Sequence, residues 1–148
     1  MRFRWGVLAV AAVSLVGFAA GPASAAEHVI GCTKDYDNWQ CEGSYHQVDN
    51  GPNYLWTSGW RGNLDGPSVS ATFQPSGEIL EVFDRFNNDH KAVAYLWIDG
   101  EKQKPYFSND PNGKTWNLHF AEGLEVMLQV CTSKYDNAVC TKRVTRTT

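Results

Sequence analysis

From Ser68 to the C-terminus, apolar and polar positions alternate with period two, and turn signals recur every eight to twelve residues or so, the pattern of an all-β sandwich or barrel. Val69, Ala71 and Phe73 alternate before Pro75-Ser76-Gly77, and Ile79 to Phe83 forms the next strand. The run from Ala92 to Ile98 is apolar on both faces and rich in strand formers, which predicts a central strand. Asp99-Gly100 then predicts a tight hairpin. Its return arm, near Lys102 to Phe107, contains Pro105 and so belongs at a sheet edge. After the loop Asn109-Asp110-Pro111-Asn112-Gly113, a strand follows in which Trp116, Leu118 and Phe120 alternate with polar residues. Leu124, Val126, Leu128 and Val130 lead into Cys131, and Val139 to Val144 is the expected final arm. No helical periodicity is sustained outside the first residues.

Between Glu42 and Pro67, glycines at 43, 51, 59, 62 and 66 break the pattern into short pieces, and aromatics are densest there. If Tyr54 to Arg61 is extended, Tyr54, Trp56, Ser58 and Trp60 share one face and Leu55, Thr57, Gly59 and Arg61 the other. A row of rings in a strand ordinarily packs into the core. Turned outward, Tyr54, Trp56 and Trp60 would instead suit stacking on sugars or anchoring a protein.

The N-terminus changes the setting. Arg2 and Arg4 precede an apolar run from Trp5 to Ala20, then Gly21-Pro22 and Ala23-Ser24-Ala25, which is the order of a secretory signal peptide over residues 1–25. Residues 26–148 are then one exported domain with no membrane attachment. The 13 Lys and Arg against 16 Asp and Glu give −3, and removing the two leader arginines gives 11 − 16 = −5. An acidic balance argues against nucleic acid as a partner.

Four cysteines, Cys32, Cys41, Cys131 and Cys140, all fall in the exported part. Residues 32–41 and 131–140 form a short repeat, CTKDYDNWQC and CTSKYDNAVC, in which Tyr-Asp-Asn supplies turn chemistry. A polar turn would set each cysteine opposite its repeat partner on a hairpin, so of the three pairings the spacing favours Cys32–Cys41 and Cys131–Cys140. The two clips are expected to be independent of one another. C-x₈-C is not a zinc spacing. Either the copies solve one hairpin problem twice, or they are paired recognition loops displaying Tyr36 and Tyr135.

No nucleophile elbow, HExxH or phosphate loop occurs, and His28, His46, His90 and His119 are scattered, so the sequence predicts neither catalysis nor a metal or other cofactor. The loop from Asp84 to His90 clusters oxygen ligands of the kind calcium takes, but lacks an EF-hand's glycine and terminal Glu, which favours a solvated turn.

Gly77-Glu78-Ile79-Leu80-Glu81-Val82-Phe83-Asp84, Asp89-His90-Lys91-Ala92 and Ala121-Glu122-Gly123 together resemble small exported actinobacterial proteins with a G-E-x-(L/F)-x-V-x-D…D-G-H-x-A pattern. Asp89 stands where the pattern has glycine. A second resemblance, which no single residue carries, is to small adaptor subunits of umbrella-type secreted toxin particles. It implies a binding role toward another extracellular protein. The segment Ala26 to Gly31, which contains His28-Val29-Ile30, is a candidate strand donor to such a partner. Inhibition of a secreted hydrolase through the Lys34-Asp35 or Lys134-Tyr135 tips, and carbohydrate or cell-wall binding through Tyr54, Trp56 and Trp60, are the alternatives.

Overall fold

The structure, a computed structural model, describes residues 28–36, 38–62 and 66–147; the expected leader at 1–25 lies outside them. Among the described residues eleven strands make two antiparallel sheets that face each other as a β-sandwich. The six-stranded sheet runs β1 (Val29–Ile30), β2 (Trp39–His46), β3 (Tyr54–Arg61), β4 (Val69–Gln74), β5 (Ile79–Asp84) and β9 (Lys114–Asn117). The five-stranded sheet is ordered β11 (Val144–Thr147), β10 (Glu125–Cys131), β6 (Ala92–Ile98), β7 (Glu101–Lys102), with β8 (Tyr106–Ser108) also paired to β6.

The alternation read from the sequence sorts the two sheet faces. Leu55, Phe73, Leu80 and Val82 on one sheet and Leu96, Leu128, Val130 and Val144 on the other form one buried core. β6 is central, as its two-sided apolar run predicts: Ala94 and Leu96 enter that core, while Val93 joins Cys131 and Ala138 in a second cluster on the outer face. Asp99 and Gly100 both adopt positive φ (49° and 80°), the geometry a two-residue hairpin turn requires. Pro105 interrupts the return arm, which pairs with β6 on either side of it, at the sheet edge.

Three expectations need correction. The stretch expected to break into pieces instead forms two eight-residue strands, β2 and β3, paired from Trp39↔Arg61 to His46↔Tyr54. Gly43 sits inside β2 because a Cβ there would lie 2.8 Å from the Trp56 carbonyl oxygen and would run into Val144. The aromatic row does not enter the core: Leu55, Thr57 and Gly59 are buried, whereas Tyr54, Trp56 and Trp60 are half-buried on the outward face. Finally, Val29–Ile30 is no free strand donor. It pairs with Gly43 and Glu42 of its own sheet, and Val29 packs against the core.

Candidate functional site

In an antiparallel sandwich every second connection returns to the same end. Both disulfide loops, the end of β3 and the start of β4, the 85–91 loop and the 109–113 loop thereby collect at one pole. Cys32–Cys41 and Cys131–Cys140 are paired as the spacing predicts, with Cα separations of 5.0 Å and 4.0 Å.

The two repeats are not independent clips. Thr33 N–H donates to Cys140 O (2.8 Å), Lys34 Nζ donates to Asp136 O, and the Tyr36 hydroxyl donates to Asn137 O (3.3 Å). Cys32 also forms a β-bridge with Thr141. The copies differ locally: Asn38 takes the left-handed conformation (φ 71°), whereas Asn137, its counterpart, does not.

The 84–91 loop closes the arrangement from the other side. The Phe86 ring meets Trp39 edge-on at 5.2 Å, beneath the Arg61 guanidinium at 5.7 Å, and the His90 ring meets Tyr135 at 5.2 Å. First repeat, second repeat and 84–91 loop thus form a closed ring of contacts. Asp84 braces the loop from within: it is 8% exposed, and its two oxygens accept from Phe86 N–H (3.1 Å) and Ala92 N–H (2.9 Å). Burial pushes its pKa above the ordinary carboxylate value, and the two N–H donors partly offset that shift. Asn88 Oδ1 likewise accepts from His90 N–H (3.1 Å). Asp84 and Asn88, two of the oxygen donors considered as calcium ligands, thus serve the loop's own backbone. Asp89 holds φ 59°, the left-handed geometry that a glycine would supply at that position.

Three hollows open on this pole. The largest, about 580 Å³, lies between the first disulfide loop and the six-stranded sheet, with Ile30, Tyr36, Trp39, Glu42 and Trp60 among its walls. A second, about 390 Å³, runs between Asp89–Lys91, Phe107 and Ser133–Tyr135. The third, about 470 Å³, is bounded by the 84–91 loop with Asn109 and Pro111. Among the described residues Ile30 (67% exposed), Tyr36 (39%) and Tyr135 (53%) are the large hydrophobic side chains left open, and all three stand here.

Of the residues singled out from the sequence, Tyr36 and Trp60 are brought together in the largest hollow, and Tyr135 lines the next. Trp56 and Tyr54 lie progressively farther down β3 on the outer face, Tyr54 against His46 at 5.2 Å. The Lys34 tip is tied to Asp136, which leaves Lys134 and Tyr135 as the open tip. Trp39, Phe86 and His90 were not singled out as binding residues, because their part comes from contacts between loops distant in sequence. No family model matches the chain, and neither the curated proteins nor the solved structures contain a match to it.

Proposed function

We propose that the protein is a non-enzymatic, exported binding module whose disulfide pole docks onto another extracellular protein, as an adaptor in a secreted multi-subunit complex would. The observation that carries this reading is the gathering of Ile30, Tyr36 and Tyr135, open to solvent, at the end of the sandwich where both disulfides lie. Aromatic side chains on a surface already ordered supply anchor contacts at little entropic cost. Here two disulfides and the hydrogen bonds between the repeats do the ordering. The disulfides are compatible with the oxidising exterior. Among the described residues no helix is long and apolar enough to cross a membrane.

The test is capture of a partner from the native culture supernatant by immobilised protein, followed by rebinding of the purified partner. Amide-exchange protection is expected over 32–41, 84–91 and 131–140, and Tyr36→Ala/Tyr135→Ala should lose the partner while melting like wild type. Protection at 46–54 and 117–125, at the opposite end, would refute the reading. Inhibition of a secreted hydrolase is a second reading, favoured by the open Lys134-Tyr135 tip within a closed loop. Stoichiometric inhibition of a trypsin-like or subtilisin-like enzyme would support it.

A further inference from the structure

The outer face of the six-stranded sheet meets the loops of the pole at Trp60 and runs away from them along β3, with its own chemistry. Strand alternation places Tyr54, Trp56 and Trp60 in line along β3, spanning about 20 Å from first to last and about 13 Å from Trp56 to Trp60. Each side chain is half-buried, so part of its surface meets solvent. The register sets neutral hydrogen-bonding groups beside the rings: Ser44 and Thr72 flank Trp56 from either side, and Gln40 lies opposite Trp60. His46 lies opposite Tyr54.

The outward strand positions carry Glu42 and Glu81 and no Lys or Arg. The cations that reach this face stand at its pole end, Arg85 over Phe83 and Lys34 and Arg61 in the hollow beyond Trp60, so along the row itself the charges are acidic and a polyanion such as a nucleic acid or a sulfated glycan is disfavoured. A neutral sugar fits instead. The C–H face of a pyranose ring is apolar and packs on an aromatic plane, while its equatorial hydroxyls point sideways to polar neighbours. Rings about 13 Å apart cannot share one sugar, so the ligand must be a chain running along the strand. The row also ends in Trp60, a wall of the 580 Å³ hollow, which extends the track beyond the sheet.

We propose that this face binds a neutral, extended β-1,4-linked oligosaccharide, with Trp56 as the central stacking platform and Tyr54 and Trp60 at either end. The site does not depend on the protein-docking role of the pole, and the two are separated by different variants.

The oxidised protein is titrated with cellohexaose and with N-acetylchitohexaose, with binding followed by tryptophan fluorescence and by retardation in gels containing the corresponding soluble polymer. At least one hexamer should bind, and at least about tenfold more tightly than its disaccharide, the discrimination expected when a second aromatic anchor is engaged. Trp56→Ala should weaken binding by about tenfold or more with an unchanged melting temperature, while Tyr135→Ala, whose hollow holds none of the three rings, binds the sugar as wild type does. Should Trp56→Ala fold poorly, Thr72→Arg, which crowds the same ring from the neighbouring strand, should abolish binding in its place. Failure of both hexamers to bind, wild-type affinity in a folded Trp56→Ala or Thr72→Arg, or preferential binding of heparin would each overturn the proposal. So would protection of this face by a protein partner rather than by sugar.

Discussion

The two disulfide loops hold each other, and a thermodynamic cycle measures by how much. Each disulfide joins cysteines nine positions apart, so closing a loop of about ten residues stabilises the fold by about 2.7 kcal/mol in the chain-entropy model. Independent clips would give simple additivity on removal. Here, however, Thr33 N–H and Oγ1 both donate to Cys140 O, Lys34 to Asp136 O and Tyr36 to Asn137 O. These bonds lie at the surface, where each contributes about 0.5 kcal/mol, the low end for a hydrogen bond. Together they amount to about 2 kcal/mol. Opening either disulfide lets one repeat move and forfeits them, and opening the second cannot forfeit them again. Cys32→Ala/Cys41→Ala and Cys131→Ala/Cys140→Ala should therefore each cost about 4 to 5 kcal/mol, and the quadruple variant about 2 kcal/mol less than their sum. Urea unfolding of all four proteins, followed by tryptophan fluorescence in one fixed concentration of sucrose to keep the weakest folded, gives the cycle. Additivity within about 0.5 kcal/mol would refute the coupling and restore the picture of two separate hairpins.

The other expectations concern the brace and the sheet interior. Asp84→Ala removes the acceptor of two backbone N–H groups and should cost about 2 kcal/mol or more in urea unfolding, whereas a cost within error would show that water replaces the carboxylate freely. Because burial raises the folded-state pKa of Asp84 above 3.8, the folded protein binds the proton more tightly than the unfolded chain. This contribution is fully present below the unfolded pKa and is lost as pH rises through the folded one. The stability of wild type relative to Asp84→Asn should accordingly grow as pH falls through the interval just above 3.8, and an opposite slope in paired melting curves would reverse the assignment. Gly43→Ala presses a methyl group between Val144 and the Trp56 carbonyl and should destabilise by about 1 to 3 kcal/mol, read from the urea midpoint; an unchanged midpoint would mean that β11 does not close on β2 as described.

Local chemistry carried most of the strands after Ser68, the Asp99-Gly100 hairpin, the edge placement around Pro105 and the cysteine pairing, since each depends on residues close in sequence; the strand expected to reach Phe120 ends at Asn117, and the final arm expected over 139–144 is instead β11 at Val144–Thr147. The region from 42 to 67 misled for one physical reason. Gly43 and Gly59 looked like strand breakers, yet both lie within paired strands, and at Gly43 the opposing sheet's Val144 takes the place a Cβ would need. That contact leaves no room for a side chain on the inward side of β2 at Gly43. Leu55 and Thr57 fill the space available, and Trp56 and Trp60 are turned out. A period-two pattern separates two faces but cannot say which is inward when the larger residues occupy the outer one. The size of the opposing strand's side chains decides it, and that is set by a segment some 100 residues away in the chain.

The meeting of the repeats follows from parity. The first repeat enters β2 at the disulfide pole, and the chain then crosses the sandwich by β2, β3, β4, β5, β6, the paired arm β7–β8, β9 and β10 before reaching the second repeat. An even number of crossings brings the chain back to the pole it left. The step that decides this is the arm around Pro105: β7 and β8 both pair with β6 and run in one direction, so they make one crossing although they are two strands. Counted as two, they would put Tyr135 at the opposite end from Tyr36, with no contact between the copies. The single direction of this edge arm thus also fixes which end receives the second loop, and with it the Tyr36, Tyr135 and Ile30 surface on which the docking proposal rests.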